Sequence, residues 1–178
     1  MIQGDLIRLW PLERHDLLKN YQWANDRELA RLAGMTPSPR SVLEIERWFE
    51  SVANNPEIRT FSIKTAEGDY LGNIELRELD LRCGRAEVGI LLGERTWWGR
   101  GCGTEALRLL LAFAFQDLRL HRLSARVLES NPRALHCFEK CGFMREGIER
   151  EAHYQDGRFW DIHILGLLAS EWDGSCPA

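Results

Sequence analysis

Thr96 to Phe115 reads TWWGRGCGTEALRLLLAFAF, with Gly99, Gly101 and Gly103 alternating with other residues before an apolar run. Glycine loses more backbone freedom on folding than any other residue, so it is kept where the chain turns left-handed or comes close to something. Beyond the glycines, Leu107, Leu110, Leu111, Ala114 and Leu118 make one helical stripe, and Leu109, Phe113 and Phe115 fall outside it. A helix apolar almost all round is a covered, central one. The pattern therefore predicts a buried helix to about Asp117, and the remaining elements have to cover it.

Those elements are legible in outline. DLIRLW alternates polar and apolar residues, as a half-buried strand does. LERHDLLKNYQWANDRELARLAG reads as one or two helices closed by Gly34. Ser41 is placed to cap VLEIERWFESVANN, whose Val42, Ile45, Trp48, Phe49 and Val52 share a face. TFSIKTAEGDYLGNIELREL gives two strands around Glu67-Gly68-Asp69, and RAEVGILLG gives a third whose apolar tail predicts burial on both faces. HRLSARVL is a further strand. NPRALHCFEKCGF is a short helix with Asn131 as cap, Pro132 in its first turn and Gly142 at its end. YQDGRFWDIHILGLL turns at Asp156-Gly157 into a last strand. Strands mixed with helices, and no linker or repeat, predict one α/β (α+β) domain over residues 1–178, with a C-terminal tail from about residue 171.

Charge and cysteine content narrow the function. The net charge of −4 gives no electrostatic reason to expect nucleic acid, although a local acidic pocket would suit a cation. No apolar run is long enough to cross a membrane, and MIQGDLIRLW lacks a signal-peptide layout. The five cysteines, Cys83, Cys102, Cys137, Cys141 and Cys176, are odd in number and scattered, which points to a reduced, cytoplasmic protein without a metal site. The five histidines show no triad-like grouping.

A helix start carries free amide hydrogens and a partial positive charge. Two readings of the glycine segment are therefore open: a phosphate or pyrophosphate cradle around Arg100 to Thr104, or a tight turn without a ligand. The spacing is neither the P-loop GxxxxGK[ST] nor the dinucleotide GxGxxG.

EVGILLGERTWWGRGCGTEAL, HRLSARVLESNPRALHCFEKCGF, YQDGRFWDIHILGL and the N-terminal LIRLWPLERHDLLKNYQWANDRE together resemble the GNAT superfamily of acyl-CoA-dependent N-acyltransferases. The resemblance covers nearly the whole chain. It is to the branch holding ribosomal-protein alanine acetyltransferases and spermidine acetyltransferases. It implies a mixed, V-splayed β-sheet flanked by helices, with acetyl-CoA as co-substrate in the splay. Pantetheine amides would pair with backbone near Leu91 and Leu92. The pyrophosphate would sit at Arg100, Gly101, Cys102, Gly103 and Thr104. Asn131 would contact the cofactor, or serve as a plain helix cap, or both. Ala134 and Phe138 would lie along the pantetheine arm. The resemblance also allows a homodimer.

The chemistry asks for a base, because an alkyl amine with a lysine-like pKa of about 10.4 attacks a thioester only when neutral. Glu87 is the first candidate and Glu75 the second. The acid is harder to place. Many superfamily members carry a tyrosine where this chain has Phe138, and some alanine-acetylating relatives carry a serine where it has Ala134. Cys137 or Tyr154 could substitute, or the thiolate leaves unaided. Trp98 stands where many relatives have Gln or Arg. On the acceptor side, WANDRE and EIERWFE supply carboxylates able to attract an amine, and Trp97 and Trp98 are candidates to line the cleft. The expected activity is N-acetyl transfer to a protein N-terminus, a polyamine or another small amine. A non-catalytic acyl-CoA-binding module is the alternative, and phosphate transfer is a weaker third reading, since no metal-binding aspartate accompanies the glycines.

Overall fold

The alternation near the N-terminus does make a strand, because Ile7 and Leu9 point into the core at 1% and 0% exposure while Trp10 faces out. A computed structural model describes residues 1–36 and 38–174. Cys176 and the end of the expected tail lie outside the described residues. Among the described residues, eight strands run in chain order: β1 (Ile2–Gln3), β2 (Ile7–Pro11), β3 (Arg59–Thr65), β4 (Tyr70–Asp80), β5 (Arg85–Leu92), β6 (Arg122–Leu128), β7 (Met144–Gln155) and β8 (Arg158–Leu168). They form one sheet in the order β1-β2-β3-β4-β5-β6-β8-β7. Every pairing is antiparallel except β5 with β6.

That parallel pairing is short. Arg85, Ala86 and Glu87 pair with Arg122, Leu123 and Ser124, and no pair follows. Beyond it β5 stays with β4 as far as Leu92, and β6 stays with β8 as far as Leu128. The two halves of the sheet therefore part from Val88 onward, which is the expected V.

The helices follow their signals. Asp26 caps α2 (Arg27–Leu32), which comes directly after α1 (Leu17–Ala24). Ser41 and Glu44 close a reciprocal capping box on α3 (Val42–Ala53), and Ile45 is its one buried side chain. Val42, in the first position, is 56% exposed rather than on the buried stripe. The central helix α4 (Cys102–Ala112) ends five residues before the sequence pattern does, and Phe113–Asp117 continue as a wider π-type turn. Leu107, Leu109 and Leu110 are fully buried, so α4 is covered all round. Asn131 caps α5 (Pro132–Lys140) through a bond from the Ala134 amide.

Register then sorts the strands into two faces. Ile74, Leu76, Val88, Leu123 and Ala125 join the apolar core with α4. Asn73, Glu75 and Arg77 of β4 stand opposite Leu91, Gly89 and Glu87 of β5, so these alternate residues share the other face.

Candidate active site

The V opens into two adjoining cavities. One, of about 410 Å³, is lined by Leu91, Leu92, Gly101, Cys102, Gly103, Thr104, Asn131, Ala134 and Cys137. The other, of about 440 Å³, runs under α1 to α3 and is lined by Glu75, Arg77, Gly89, Trp48 and Phe138 among others. Leu91, Asn131 and Ala134 line both, so the cavities are two arms of one cleft.

The first arm ends at the start of α4. Gly101 is the N-cap with φ +90°, and Gly99 has φ +74°. Side chains at such angles are strained, which accounts for glycine at both places. The amides of Cys102, Gly103 and Thr104 are those a helix start leaves without an intrahelical acceptor. A Cβ on Gly103 would come within 3.2 Å of Leu92 Cδ1 and 3.5 Å of Cys137 Sγ. Glycine thus keeps open a gap between the splayed strand and the helix mouth, and the mouth suits a diphosphate.

Glu105 braces this corner from behind. It is 6% exposed, and its Oε1 and Oε2 accept from the Leu6 amide at 3.1 and 3.0 Å. Arg100 lies over the Trp97 ring at 5.3 Å, outside both arms. Trp98 donates from its indole nitrogen to the Leu92 carbonyl at 2.8 Å, and the Arg133 guanidinium stacks 4.2 Å above its ring. Asn131 is engaged twice within the protein. Its Oδ1 accepts from Ala134, and its Nδ2 donates to the Leu32 carbonyl at 2.9 Å, tying the start of α5 to the end of α2.

The second arm holds the ionisable groups. Glu75 sits in the arm and accepts from Thr60 Oγ1 at 3.2 Å. Burial pushes its carboxyl above the ordinary value; Arg77 and Thr60 pull back, and Glu87 adds to the rise. Glu87 lines neither arm and is held by Arg77 Nη2 at 2.7 Å. Gly89 lies beneath this pair, where a Cβ would come within 3.1 Å of Glu75 Oε1 and 3.2 Å of Arg77 Nη2. Asn20, Tyr70 and Asn73 close a buried triangle, with Asn20 and Asn73 on the wall of this arm. Asn20 donates to the Tyr70 hydroxyl at 2.8 Å, that hydroxyl donates to Asn73 Oδ1, and Asn73 Nδ2 returns to Asn20 Oδ1 at 2.7 Å.

The acid candidates fare differently. Cys137 faces the first arm beside Thr104 Oγ1 at 3.5 Å, but burial raises its pKa, which makes it a reluctant proton donor. Cys141 is pushed up to about 12 by the same cause. Tyr154 lies outside both arms, 62% exposed against Phe159. Phe138 is buried and packs edge-on against Phe143 at 5.0 Å.

Sequence reasoning missed Trp48, Arg40, Arg77 and Arg126 in the second arm. Of the helix carboxylates, Glu44 of EIERWFE does line the second arm, whereas others are neutralised elsewhere. Asp26 and Glu28 of WANDRE are held by Arg95 at 2.7 and 2.5 Å, and Glu50 of EIERWFE by Arg14 at 3.1 Å. These ion pairs bridge 36 to 69 residues, and no local pattern announces them.

Known proteins share this arrangement. The acetyltransferase (GNAT) domain family matches residues 7–144. An uncharacterised N-acetyltransferase, p20, of Bacillus licheniformis is 29% identical, with 94% of each chain covered. The spermidine N(1)-acetyltransferase of Vibrio cholerae is 28% identical over 93% of this chain and 95% of that one. A crystal structure of spermidine N-acetyltransferase from the same organism, in complex with CoA and spermine, superposes with a TM-score of 0.87 at 28% identity, covering 93% of this chain and 97% of that chain. The putative ribosomal N-acetyltransferase YdaF of Bacillus subtilis is 32% identical over a shorter stretch, 61% of this chain and 58% of its own. With the V-shaped cleft and the glycine-capped helix mouth in place, these likenesses show that the chain belongs to the GNAT acetyltransferase family and is an acyltransferase.

Proposed function

We propose that the protein transfers the acetyl group of acetyl-CoA to a primary amine by direct attack on the thioester. The parting of β5 from β6 beside the mouth of α4 carries this reading, because it offers an unpaired strand edge and free helix amides in one cleft. Residues Gly101 to Thr104 would hold the pyrophosphate, and the β5 backbone at Leu91 the pantetheine amides. When bound, acetyl-CoA supplies the activated carbonyl.

Glu75 is the base in this scheme. It lies in the acceptor arm, and its raised pKa brings it closer to working pH, as a general base requires. It takes the proton the ammonium sheds to become nucleophilic, releases it to solvent, and takes the second proton that the nitrogen sheds once it is bonded to the carbonyl carbon. The nitrogen–carbon bond forms, the carbon–sulfur bond breaks, and the pair goes to the CoA sulfur. With a cysteine-like pKa near 8.5, that sulfur departs as thiolate without help from Phe138 or Cys137. The four described cysteines are all free, in keeping with a reducing, cytoplasmic setting.

Phe138 and Ala134 favour a second reading, a binding module without turnover. Acetyl-CoA and an amine panel separate the two. CoA release matched by N-acetylated product supports transfer. Tight CoA binding with no product from any amine would reject it in favour of the module.

A further inference from the structure

The acceptor arm has an uneven chemistry. Arginines line it as prominently as carboxylates: Arg40, Arg77 and Arg126 against Glu44 and Glu75. Each carboxylate has a guanidinium beside it, with Glu44 3.7 Å from Arg40 and Glu75 3.5 Å from Arg77. Glu44 is also committed to the α3 cap, accepting from the Ser41 amide at 2.7 Å. Arg126 is held by Glu149, outside the arm, at 2.5 Å. The rest of the wall is mostly apolar, with Leu32, Met35, Ile45 and Trp48 over a space of about 440 Å³. Its amides, Asn20, Asn73 and Asn131, each have the side-chain oxygen already accepting a bond within the protein.

A polyamine presents several ammonium groups, each needing a carboxylate once water is stripped away. This arm offers one such position, Glu75, where the reacting amine must go. The remaining cations of a polyamine would meet arginines, apolar walls or amides whose oxygens are already engaged. A single amine on an apolar body meets neither penalty. It leaves its nitrogen at Glu75 and lays its hydrocarbon on Trp48 and Ile45.

Resting on the transferase reading above, we infer that the acceptor is an amine with one cationic centre on an apolar body, and not a polyamine. An arylalkylamine and a peptide beginning with an apolar residue share that chemistry. The spermidine acetyltransferases it resembles act on a different class.

The test compares 2-phenylethylamine, a short peptide beginning with leucine, and spermidine at saturating acetyl-CoA. We expect kcat/KM for at least one apolar amine to exceed that for spermidine by about tenfold or more, the scale set by one or two misplaced groups in a pocket. Whichever of the two is faster identifies the source of the shared chemistry. Trp48→Ala is expected to raise the KM of that amine by about tenfold while leaving the KM for acetyl-CoA unchanged. Arg40→Glu, on an exposed segment, should raise kcat/KM for spermidine and not for the apolar amine. Spermidine turned over as well as or better than both apolar amines would overturn the inference. So would a Trp48→Ala protein with unaltered acceptor KM. CoA binding without product from any of the three would instead overturn the transferase reading and this one with it.

Discussion

Arg77 donates to Glu87 at 2.7 Å, and through that bond it sets the charge felt by a third residue, Glu75. The same guanidinium stands 3.5 Å from Glu75 and lowers its pKa, while the Glu87 charge raises it. Substitutions at these two carboxylates therefore have different consequences if Glu75 is the base. Glu75→Gln should lower kcat by about 10²-fold or more, the usual range for a lost general base, with CoA affinity unchanged in a binding titration. Glu87→Gln should remain active. By removing a like charge it lets Glu75 lose its proton more readily, so the acidic limb of the pH–rate profile should move to lower pH. Arg77→Gln should move that limb upward. Loss of activity on Glu87→Gln but not on Glu75→Gln would exchange the two roles.

Stability follows with its own sign. A carboxyl whose folded pKa is raised above its unfolded value penalises the fold as pH rises through that interval, and the penalty is complete above the folded value. Glu75 is such a group. Glu75→Gln is therefore expected to melt no lower than the parent at pH 7. Any gain should fade as pH falls below the ordinary carboxylate range. Calorimetry at pH 7 and pH 4 checks this, and a lower melting temperature at pH 7 would mean that Glu75 earns more from its neighbours than burial costs it.

At the other arm, Gly101 combines a left-handed φ of +90° with the cap of α4. A β-branched residue there costs about 1–2 kcal/mol of backbone strain and redirects the helix-start amides. Gly101→Val is expected to weaken CoA binding about 100-fold or more in calorimetric titration, while circular dichroism stays that of a folded protein. Normal CoA affinity would remove the helix mouth as the phosphate site.

Much of this was legible because it is written locally. Gly101 at the cap, Asn131 before Pro132, Ser41 with Glu44, and Gly68 and Gly157 in turns each act within a few residues of themselves, and each is where its pattern puts it. The splay was legible only through family resemblance, since nothing in RAEVGILLG says that its pairing with β6 stops at Glu87. The second arm was least legible. Its character comes from pairs such as Arg77 with Glu87, joined by strand register, and Arg126 with Glu149, joined across the sheet. Sequence shows the carboxylates but not what neutralises them. The end of α4 is a smaller case: the apolar run continues to Phe115, so periodicity could not signal the change to a wider turn at Phe113.

Asn131 carries a stability prediction. Its side chain caps α5 and also holds the end of α2 through Leu32. Asn131→Ala forfeits both bonds, about 1–2 kcal/mol for the cap and one further hydrogen bond. At about 2–4 °C per kcal/mol for a chain of this size, the melting temperature should fall by several degrees. Asn131→Asp keeps the capping oxygen and loses the donor to Leu32, so it should fall between the two. An alanine variant that melts with the parent would mean that neither bond matters to the fold.

Trp98 offers a test of how the splayed strand is held. Its indole N–H is bound to the Leu92 carbonyl at 2.8 Å, at the end of the edge proposed to receive the pantetheine. Its ring lies under Arg133. Trp98→Phe keeps an aromatic face for the guanidinium and deletes the donor. Losing one ordinary hydrogen bond, about 1 kcal/mol, is expected to raise the KM for acetyl-CoA about 3- to 10-fold with little change in acceptor KM. Trp98→Leu gives up the stacking as well, a further 0.5–1 kcal/mol or so, and should be the weaker binder of the two. The order matters more than the size. A phenylalanine variant equal to the parent, with leucine impaired, would assign Trp98's contribution to Arg133 and leave the Leu92 bond without consequence for the cofactor.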